Sequence, residues 1–151
     1  METKTINGPE ELHQTLADLF GDVIYSYTRA QAIADGVLVD MTQGELGALL
    51  REVGFNRHTV MTATAFGKVI QSPGADLPAG QDIKGRWWDV LNVMKAAILA
   101  AIRKNPAECD NVPFQVRAWN GRTHETVRMY VNCGPGDNGE PVLTIMLEGE
   151  D

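Results

Sequence analysis

The sequence has little of what marks most recognisable sites and compartments. Cysteine occurs twice and histidine three times in 151 residues, and none of them stands at the short spacings that bind zinc. The opening stretch METKTINGPEE lacks the apolar core of a secretory signal. The longest strongly apolar run, Val93–Ile102, is interrupted by Lys95 and is too short to cross a bilayer. We therefore expect a cytoplasmic protein with reduced thiols and with no metal, cofactor or membrane segment.

Basic charge is also scarce. The chain carries 20 acidic and 13 basic side chains, for a net charge of −7. Residues 1–51 and 105–151 each hold five more acids than bases, whereas residues 52–104 hold three more bases than acids. This balance argues against sequence-independent binding to nucleic acid, because no strongly basic face dominates. The length of 151 residues and a hydrophobic content of 44% predict a single globular domain over residues 1–151.

The first half of the chain alternates helix and strand signals. Pro9 and Gly21 bound a first predicted helix, and the apolar run Val23–Tyr27 predicts a short strand. Thr28 with Gln31 forms a capping-box pattern that predicts a helix of about two turns. This helix is expected to end at Gly36, after which Val37, Leu38 and Val39 resume an extended pattern.

A further helix is predicted by Thr42 and Glu45, a second capping-box pair, and by Gly54, which suits its end. The segment Arg57–Gln71 is ambiguous, because the alternation in HTVMTAT is typical of a strand. Five apolar residues nevertheless share one helical face: Met61, Ala65, Phe66, Val69 and Ile70. We predict a helix there, capped by Asn56, followed by a loop over Ser72–Gly80.

The longest predicted helix runs from about Gln81 to Lys104. Its apolar stripe consists of Ile83, Trp87, Leu91, Met94, Ile98 and Ile102. Flanking apolar residues widen the stripe, so we expect a central helix that is buried against two neighbours. Trp87 lies on the stripe and is predicted to be core. Trp88 lies on the flank, where burial at the core edge is favoured and exposure as an interface anchor is the alternative.

The last third of the chain is predicted to be an antiparallel meander. Alternating apolar residues over Phe114–Ala118 and Val127–Cys133 flank Asn120–Gly121, a strong hairpin signal. A turn-rich stretch, Gly134–Pro141, leads to a third strand over Val142–Leu147. The expected fold is therefore a single α+β domain, in which this meander packs on a helical layer with a long central helix.

Two groups of residues are candidates for binding. On the meander, four residues are expected to face outward: Arg117, Trp119, Arg128 and Tyr130. This set partly fits a sheet face that binds nucleic acid, in which aromatic side chains stack on bases and basic side chains neutralise phosphates. At the first strand-to-helix junction, Ser26, Tyr27 and Arg29 have no role in the predicted helix cap. Trp88 is the eighth candidate and completes the set.

Three stretches carry a resemblance to a known family: YSYTRAQAIADGVLVDMT, QDIKGRWWDVLNVMKAAI and NCGPGDNGEPVLTIML. Together they resemble a family of small uncharacterised proteins carried by bacteriophages, plasmids and integrative elements. The resemblance covers nearly the whole chain. It implies an accessory protein of a mobile element that binds a host or element protein, with inhibition of host defence machinery as one role.

A second resemblance covers only Val23–Val39, which is similar to the opening of ADP-ribosyltransferase-like folds. It implies an NAD-binding enzyme whose ribose-gripping position is Ser26, or Tyr25 or Tyr27 beside it, with a catalytic acid at Glu140 or Glu148. The principal hypothesis from the sequence is nonetheless a non-catalytic protein-binding module. An ADP-ribosyltransferase-like enzyme, active or decayed, and nucleic-acid binding through the sheet face are its alternatives.

Overall fold

The computed structural model describes residues 27–71, 82–108 and 110–150. The chain divides into two compact units, residues 1–32 and residues 33–151. The predicted first helix, all of the predicted strand Val23–Tyr27 except Tyr27, and the predicted loop over Ser72–Gly80 lie outside the described residues. The single domain over residues 1–151 stays a prediction.

The short helix α1, Arg29–Ala34, begins with the predicted capping box. The Thr28 hydroxyl accepts a hydrogen bond from the Gln31 N–H at 3.0 Å, and the Thr28 N–H donates to Gln31 Oε1 at 2.8 Å. Gly36 follows the helix with a positive φ of 80°, a conformation that glycine adopts without strain. The sequence prediction is confirmed at both ends of this helix.

A five-stranded sheet forms the centre of the second unit. Its strands are β1 (Leu38–Asp40), β2 (His58–Thr62), β3 (Asn111–Trp119), β4 (His124–Pro135) and β5 (Pro141–Leu147). They are arranged in the order β1-β2-β5-β4-β3, with β2 parallel to β5 and all other neighbours antiparallel. The predicted meander and the α+β fold class are confirmed, and β1 and β2 extend the sheet beyond β5.

The predicted helix over Arg57–Gln71 is wrong for its first part, because His58–Thr62 forms β2. Val60 and Met61 are both fully buried, so the strand is covered on its two faces. Pairing with β1 and β5 outweighs the local helical pattern of this short β-branched segment. The cap is Thr62 and not Asn56, since the Thr62 hydroxyl accepts from the Ala65 N–H at 3.1 Å. Helix α3, Ala63–Ala65, then continues as a π-helix over Phe66–Gln71.

Helix α2, Gly44–Val53, has the predicted end but not the predicted beginning. The capping box of Thr42 and Glu45 is wrong. The Thr42 hydroxyl instead accepts from the Thr59 N–H at 2.9 Å and donates to the Thr59 carbonyl at 3.1 Å. It thereby ties the start of α2 to β2. The helix ends as predicted at Gly54, whose φ is 117°.

The long helix α4, Ile83–Lys104, packs on the sheet and begins at Asp82, whose carboxylate accepts from the Gly85 N–H at 2.6 Å. We call the sheet face beneath α4 the inner face and the opposite face the outer face. Only the middle of the predicted stripe is buried: Trp87, Leu91 and Met94 are core, whereas Ile83 and Ile102 are exposed. The predicted burial of Trp88 at the core edge is wrong, because Trp88 is 38% exposed.

Helix α2 lies beside α4 and is joined to it by two hydrogen bonds. The Trp87 indole N–H donates to the Leu46 carbonyl at 2.9 Å, and Lys95 Nζ donates to the Val53 carbonyl at 2.7 Å. The second bond satisfies a carbonyl at the end of α2, where the helix dipole favours a cation. The other flank of α4 faces β3, and this arrangement positions the site described next.

Candidate functional site

Strand β3 lies at one end of the sheet and has β4 as its strand neighbour. Its side chains alternate without interruption. Val112, Phe114, Val116 and Ala118 are buried on the inner face, whereas residues 111, 113, 115 and 117 are exposed. This nine-residue strand pairs with β4 along one edge, and no described strand pairs with its other edge.

The hydrogen-bond register decides which backbone groups reach that second edge. The Cys133 N–H donates to the Asp110 carbonyl at 2.7 Å, and the Asn120 N–H donates to the Thr123 carbonyl at 3.0 Å. Because bonding alternates along an antiparallel pair, the even-numbered residues of β3 bond to β4. The backbone groups of residues 111, 113, 115, 117 and 119 therefore point away from β4. We call this side of β3 the open edge, since no strand pairs with it among the described residues.

Pro113 limits the open edge on one side. It belongs to the odd-numbered set and has no backbone N–H, so a strand that approached there would lose one hydrogen bond. Gln115 and Arg117 keep both their N–H and C=O groups. The part of the open edge best suited to pairing is thus the half that contains these two residues.

A cavity of about 400 Å³ adjoins this part of the open edge. We call it the β3–α4 cavity, because Gln115, Val116 and Arg117 of β3 line one side and residues of α4 line the other. The α4 residues include Arg86, Asp89 and Val93. The cavity therefore lies where the inner-face side chains of a further strand beside β3 would project.

Arg86 is the charged residue that distinguishes the β3–α4 cavity. Its side chain is only 6% exposed, and its Nε–H donates to the Val69 carbonyl at 2.7 Å. Burial lowers the pKa of the Arg86 guanidinium, while the negative charge of Asp89 acts in the opposite direction. The guanidinium stays protonated at neutral pH because its ordinary pKa is so high. Arg117 lines the edge of the cavity from β3 but carries its side chain on the outer face, so the charges inside the cavity are those of Arg86 and Asp89.

Sequence reasoning missed Arg86, although a signal for it was present. Arg86 stands four residues before Val90 and eight before Met94, so helical geometry places it toward the buried side of α4. A charged residue at such a position is rarely buried without a specific environment. The cavity beside it depends on the packing of β3 against α4, which the local pattern does not contain.

Four predicted site residues share the outer face of β3 and β4: Arg117, Trp119, Arg128 and Tyr130. The Trp119 ring meets the His124 ring edge-on, with centroids 5.2 Å apart. Arg128 forms an exposed ion pair with Glu148 at 3.9 Å. The Tyr130 hydroxyl donates to the Glu150 carbonyl, which holds the turn after β5. The expected outward orientation of this set is confirmed.

The remaining predicted site residues are not part of that group. Trp88 is on α4, which covers the inner face of the sheet, so the sheet separates it from the outer-face set. In the first unit, Tyr27 is 53% exposed and Arg29 is half-buried, while Ser26 lies outside the described residues. Glu140 and Glu148 flank β5 at its two ends, about 26 Å apart by strand geometry. The ADP-ribosyltransferase activity stays a prediction.

A larger cavity of about 570 Å³ lies at the far end of α4. Phe55, Ile98, Ile102 and Leu143 supply apolar walls, and Arg57 and Asp110 are charged residues at its lining. These residues come from four separate parts of the chain, so no local motif indicates the cavity. Within the described ranges, no cluster of three His, Cys, Asp or Glu side chains could hold a metal ion. No described helix is long and apolar enough to cross a membrane.

Comparison with known proteins identifies the family but not an activity. A family model described as a family of unknown function, DUF6573, matches residues 17–151. The chain belongs to this family. No curated protein and no solved structure gives a significant match. The expected membership of a family without an established activity is confirmed, and for this DUF6573 member the function has to be inferred from the open edge, the outer face and the cavities.

Proposed function

We propose that the chain is a non-catalytic protein-binding module that takes an extended segment of a partner protein as a sixth strand on β3. The observation that carries the proposal is the alternation of β3, whose odd-numbered backbone groups point away from β4. Strand addition uses such groups for affinity and uses side-chain pockets for specificity. The β3–α4 cavity is a pocket of this kind, located beside Gln115 and Arg117.

Over the described residues, this edge carries few of the devices that usually block strand pairing. Natural sheets protect edges with short strands, bulges, prolines, charged side chains or a covering helix or loop. β3 is nine residues long, and it pairs with β4 in register from Asn111 to Trp119 without a bulge. Pro113 protects one half, and the half with Gln115 and Arg117 is left suitable for pairing.

Local charge favours a partner segment with acidic side chains. All three basic residues of the stretch 105–151 belong to β3, β4 or the loop between them: Arg117, Arg122 and Arg128. The chain as a whole carries a net charge of −7, so this end of the sheet differs in sign from most of the molecule. Such contrast steers an acidic segment to one region of the surface.

The partner in this proposal is a host protein or another protein of the same mobile element. The family resemblance described above supports that context, and inhibition of a host defence protein is the role we propose for the interaction. Strand addition suits such a role because backbone pairing depends little on the exact partner sequence.

A displayed library of random dodecapeptides tests the proposal directly. We expect enriched peptides whose affinity for the chain, measured by fluorescence anisotropy, falls about tenfold in a Gln115→Pro variant. Proline removes the outward N–H of residue 115 without removing a bond to β4. Gln115→Ala is the matched control, because it removes the side chain but keeps the N–H, and it should bind within about twofold of the wild-type protein. Failure to enrich peptides, or equal binding by the proline variant, would refute strand addition.

Nucleic-acid binding is the second candidate, favoured by the shared outer face of Arg117, Trp119, Arg128 and Tyr130. Aromatic and basic side chains on one sheet face are typical of single-strand readers. A variant with Arg117→Ala and Arg128→Ala should then bind a labelled single-stranded oligonucleotide more weakly, with a smaller dependence on salt. Unchanged affinity and salt dependence would eliminate this candidate and leave strand addition untouched.

A further inference from the structure

We infer that the β3–α4 cavity is a recognition pocket for one acidic side chain of the added strand, with Arg86 as the residue that binds its carboxylate. The inference rests on the proposed strand addition and names the chemistry that the partner segment must carry. Three features of the cavity support it: its position, its charge and its apolar walls.

The position of the cavity determines how a partner would reach it. Side chains of neighbouring strands line up in rows across a sheet, so one residue of an added strand lies beside Val116 and points to the inner face. Val116 lines the cavity, and so do Arg86, Asp89 and Val93 on the facing side of α4. A single inner-face side chain of the added strand would therefore enter the space in front of Arg86.

The charge of the cavity selects an anion. Arg86 is almost fully buried, and a buried guanidinium favours a partner with a carboxylate because the surroundings screen the interaction weakly. Asp89 lines the same space and supplies one negative charge, but Asp89 is exposed, so solvent screens its charge more strongly than that of the buried Arg86.

The ligand is a side chain of an internal residue and not a chain terminus. The cavity adjoins residues 115–117, near the middle of β3, which extends from Asn111 to Trp119. An added strand can therefore continue past the cavity in both directions. The apolar walls contributed by Val69, Val90, Val93 and Val116 suit the methylene groups of such a side chain.

The test uses the dodecapeptides enriched by the displayed library, in which each peptide is fused at its C-terminus. We expect Asp or Glu at one fixed position, and replacement of that residue by Gln or Asn in a synthetic peptide should weaken binding about tenfold. C-terminal amidation should leave the affinity unchanged. A loss of affinity on amidation would overturn the assignment to an internal side chain.

Variants of the protein assign the effect to the cavity. Asp89→Asn removes the competing carboxylate from an exposed position, so it should strengthen binding of the acidic peptide about threefold and leave its amide counterpart within twofold. Arg86→Met should abolish the preference for the acid over the amide. Near-UV circular dichroism shows whether the Arg86→Met variant is folded. If that variant is unfolded, the result for Asp89→Asn decides whether the carboxylate binds in the cavity.

The outcomes separate this inference from the proposed function. Peptides that depend on the Gln115 N–H but show no fixed acidic position would overturn the acidic pocket and leave strand addition intact. An acid preference of the same size in wild-type, Asp89→Asn and folded Arg86→Met proteins would also overturn it, because the carboxylate would then bind elsewhere. Failure to enrich any peptide would instead refute the proposed function itself.

Discussion

Trp87 and Trp88 are neighbours in α4 whose side chains lie in opposite environments. Successive residues of a helix point about 100° apart, so only one of the two can face the core. Trp87 is fully buried and donates its indole N–H to the Leu46 carbonyl, whereas Trp88 is 38% exposed. This pair allows the contribution of burial to be measured with the same residue type in the same helix.

Substitution by phenylalanine should lower the free energy of unfolding by different amounts at Trp87 and Trp88. We expect Trp87→Phe to lower the free energy of unfolding by about 2–4 kcal/mol, because it leaves a cavity and removes the hydrogen bond to Leu46. Trp88→Phe should cost less than about 1 kcal/mol, since much of that ring is in solvent. Urea unfolding followed by far-UV circular dichroism measures both values. Equal losses would contradict the assignment of only one tryptophan to the core.

Asp40 is the residue for which the structure predicts a dependence of stability on pH. Burial raises its pKa, but hydrogen bonds from Thr42 and the charge of His58 together lower it further, so the net pKa is below the usual value. The Thr42 N–H lies 2.8 Å and His58 Nε2 lies 3.4 Å from the Asp40 carboxylate. A carboxylate with a lowered pKa stabilises the folded state above its unfolded pKa of about 3.9.

An Asp40→Asn variant should therefore be less stable than the wild-type protein at pH 7 but similar to it in acid. We expect a difference of about 1 kcal/mol in the free energy of unfolding at pH 7, narrowing as the pH falls below about 4. Urea unfolding at a series of pH values measures it. Glu52→Gln, which removes an exposed carboxylate on α2, is the control and should change stability little at any pH. A difference that is constant with pH would contradict the role of the Asp40 charge.

At the scale of one element, β3 divides its backbone groups between two environments. Even-numbered residues bond to β4, whereas Gln115 and Arg117 direct their N–H groups to the open edge. The same strand thus belongs to a stable sheet on one side and offers a surface for pairing on the other. Side-chain alternation reinforces the division, because the even-numbered side chains are also the buried ones.

Amide hydrogen exchange of the free protein should reproduce this alternation. We expect the amides of Gln115 and Arg117 to exchange faster than those of Phe114 and Val116, by a factor on the order of a hundred. Two-dimensional NMR in deuterated solvent measures each amide separately. Binding of an enriched peptide should then slow exchange at Gln115 and Arg117. Uniform protection along β3 in the free protein would show that its second edge is already paired.

At the scale of the whole molecule, β5 connects parts of the sheet that are far apart in the chain. It lies between β4, its neighbour in sequence, and β2, which precedes it by about eighty residues and runs parallel to it. The Glu150 carboxylate strengthens this connection by accepting from the Thr62 hydroxyl and the Leu147 N–H, both at 2.8 Å. The sheet therefore depends on contacts of long sequence separation.

Removal of β5 should consequently abolish the cooperative fold. A chain that ends after Asn138 loses the strand that joins β4 to β2, and we expect it to show no near-UV circular dichroism and no cooperative urea transition. As a control, insertion of Gly-Ser between Gly121 and Arg122 should be tolerated within about 1 kcal/mol, because both residues are exposed in the β3–β4 loop. A cooperative transition in the shortened chain would contradict the central role of β5.

The sequence by itself determined the elements whose signals are local. The cap at Thr28, the long helix over Ile83–Lys104 and the C-terminal meander follow from capping chemistry, helical periodicity and strict alternation. Each signal involves residues within a few positions of one another or repeats over many turns. The family is likewise contained in the sequence, because it is read from the order of the residues alone.

Tertiary structure decided what depends on neighbours distant in the chain. Residues His58–Thr62 form a strand because β1 and β5 supply pairing partners. Thr42, which was predicted to cap a helix, instead forms hydrogen bonds with Thr59. The candidate site is of the same kind. Only the strand order makes β3 an edge, and only the packing of α4 beside it buries Arg86 at a cavity. Local pattern could not reveal that site, since an edge and a cavity are properties of what lies next to a segment.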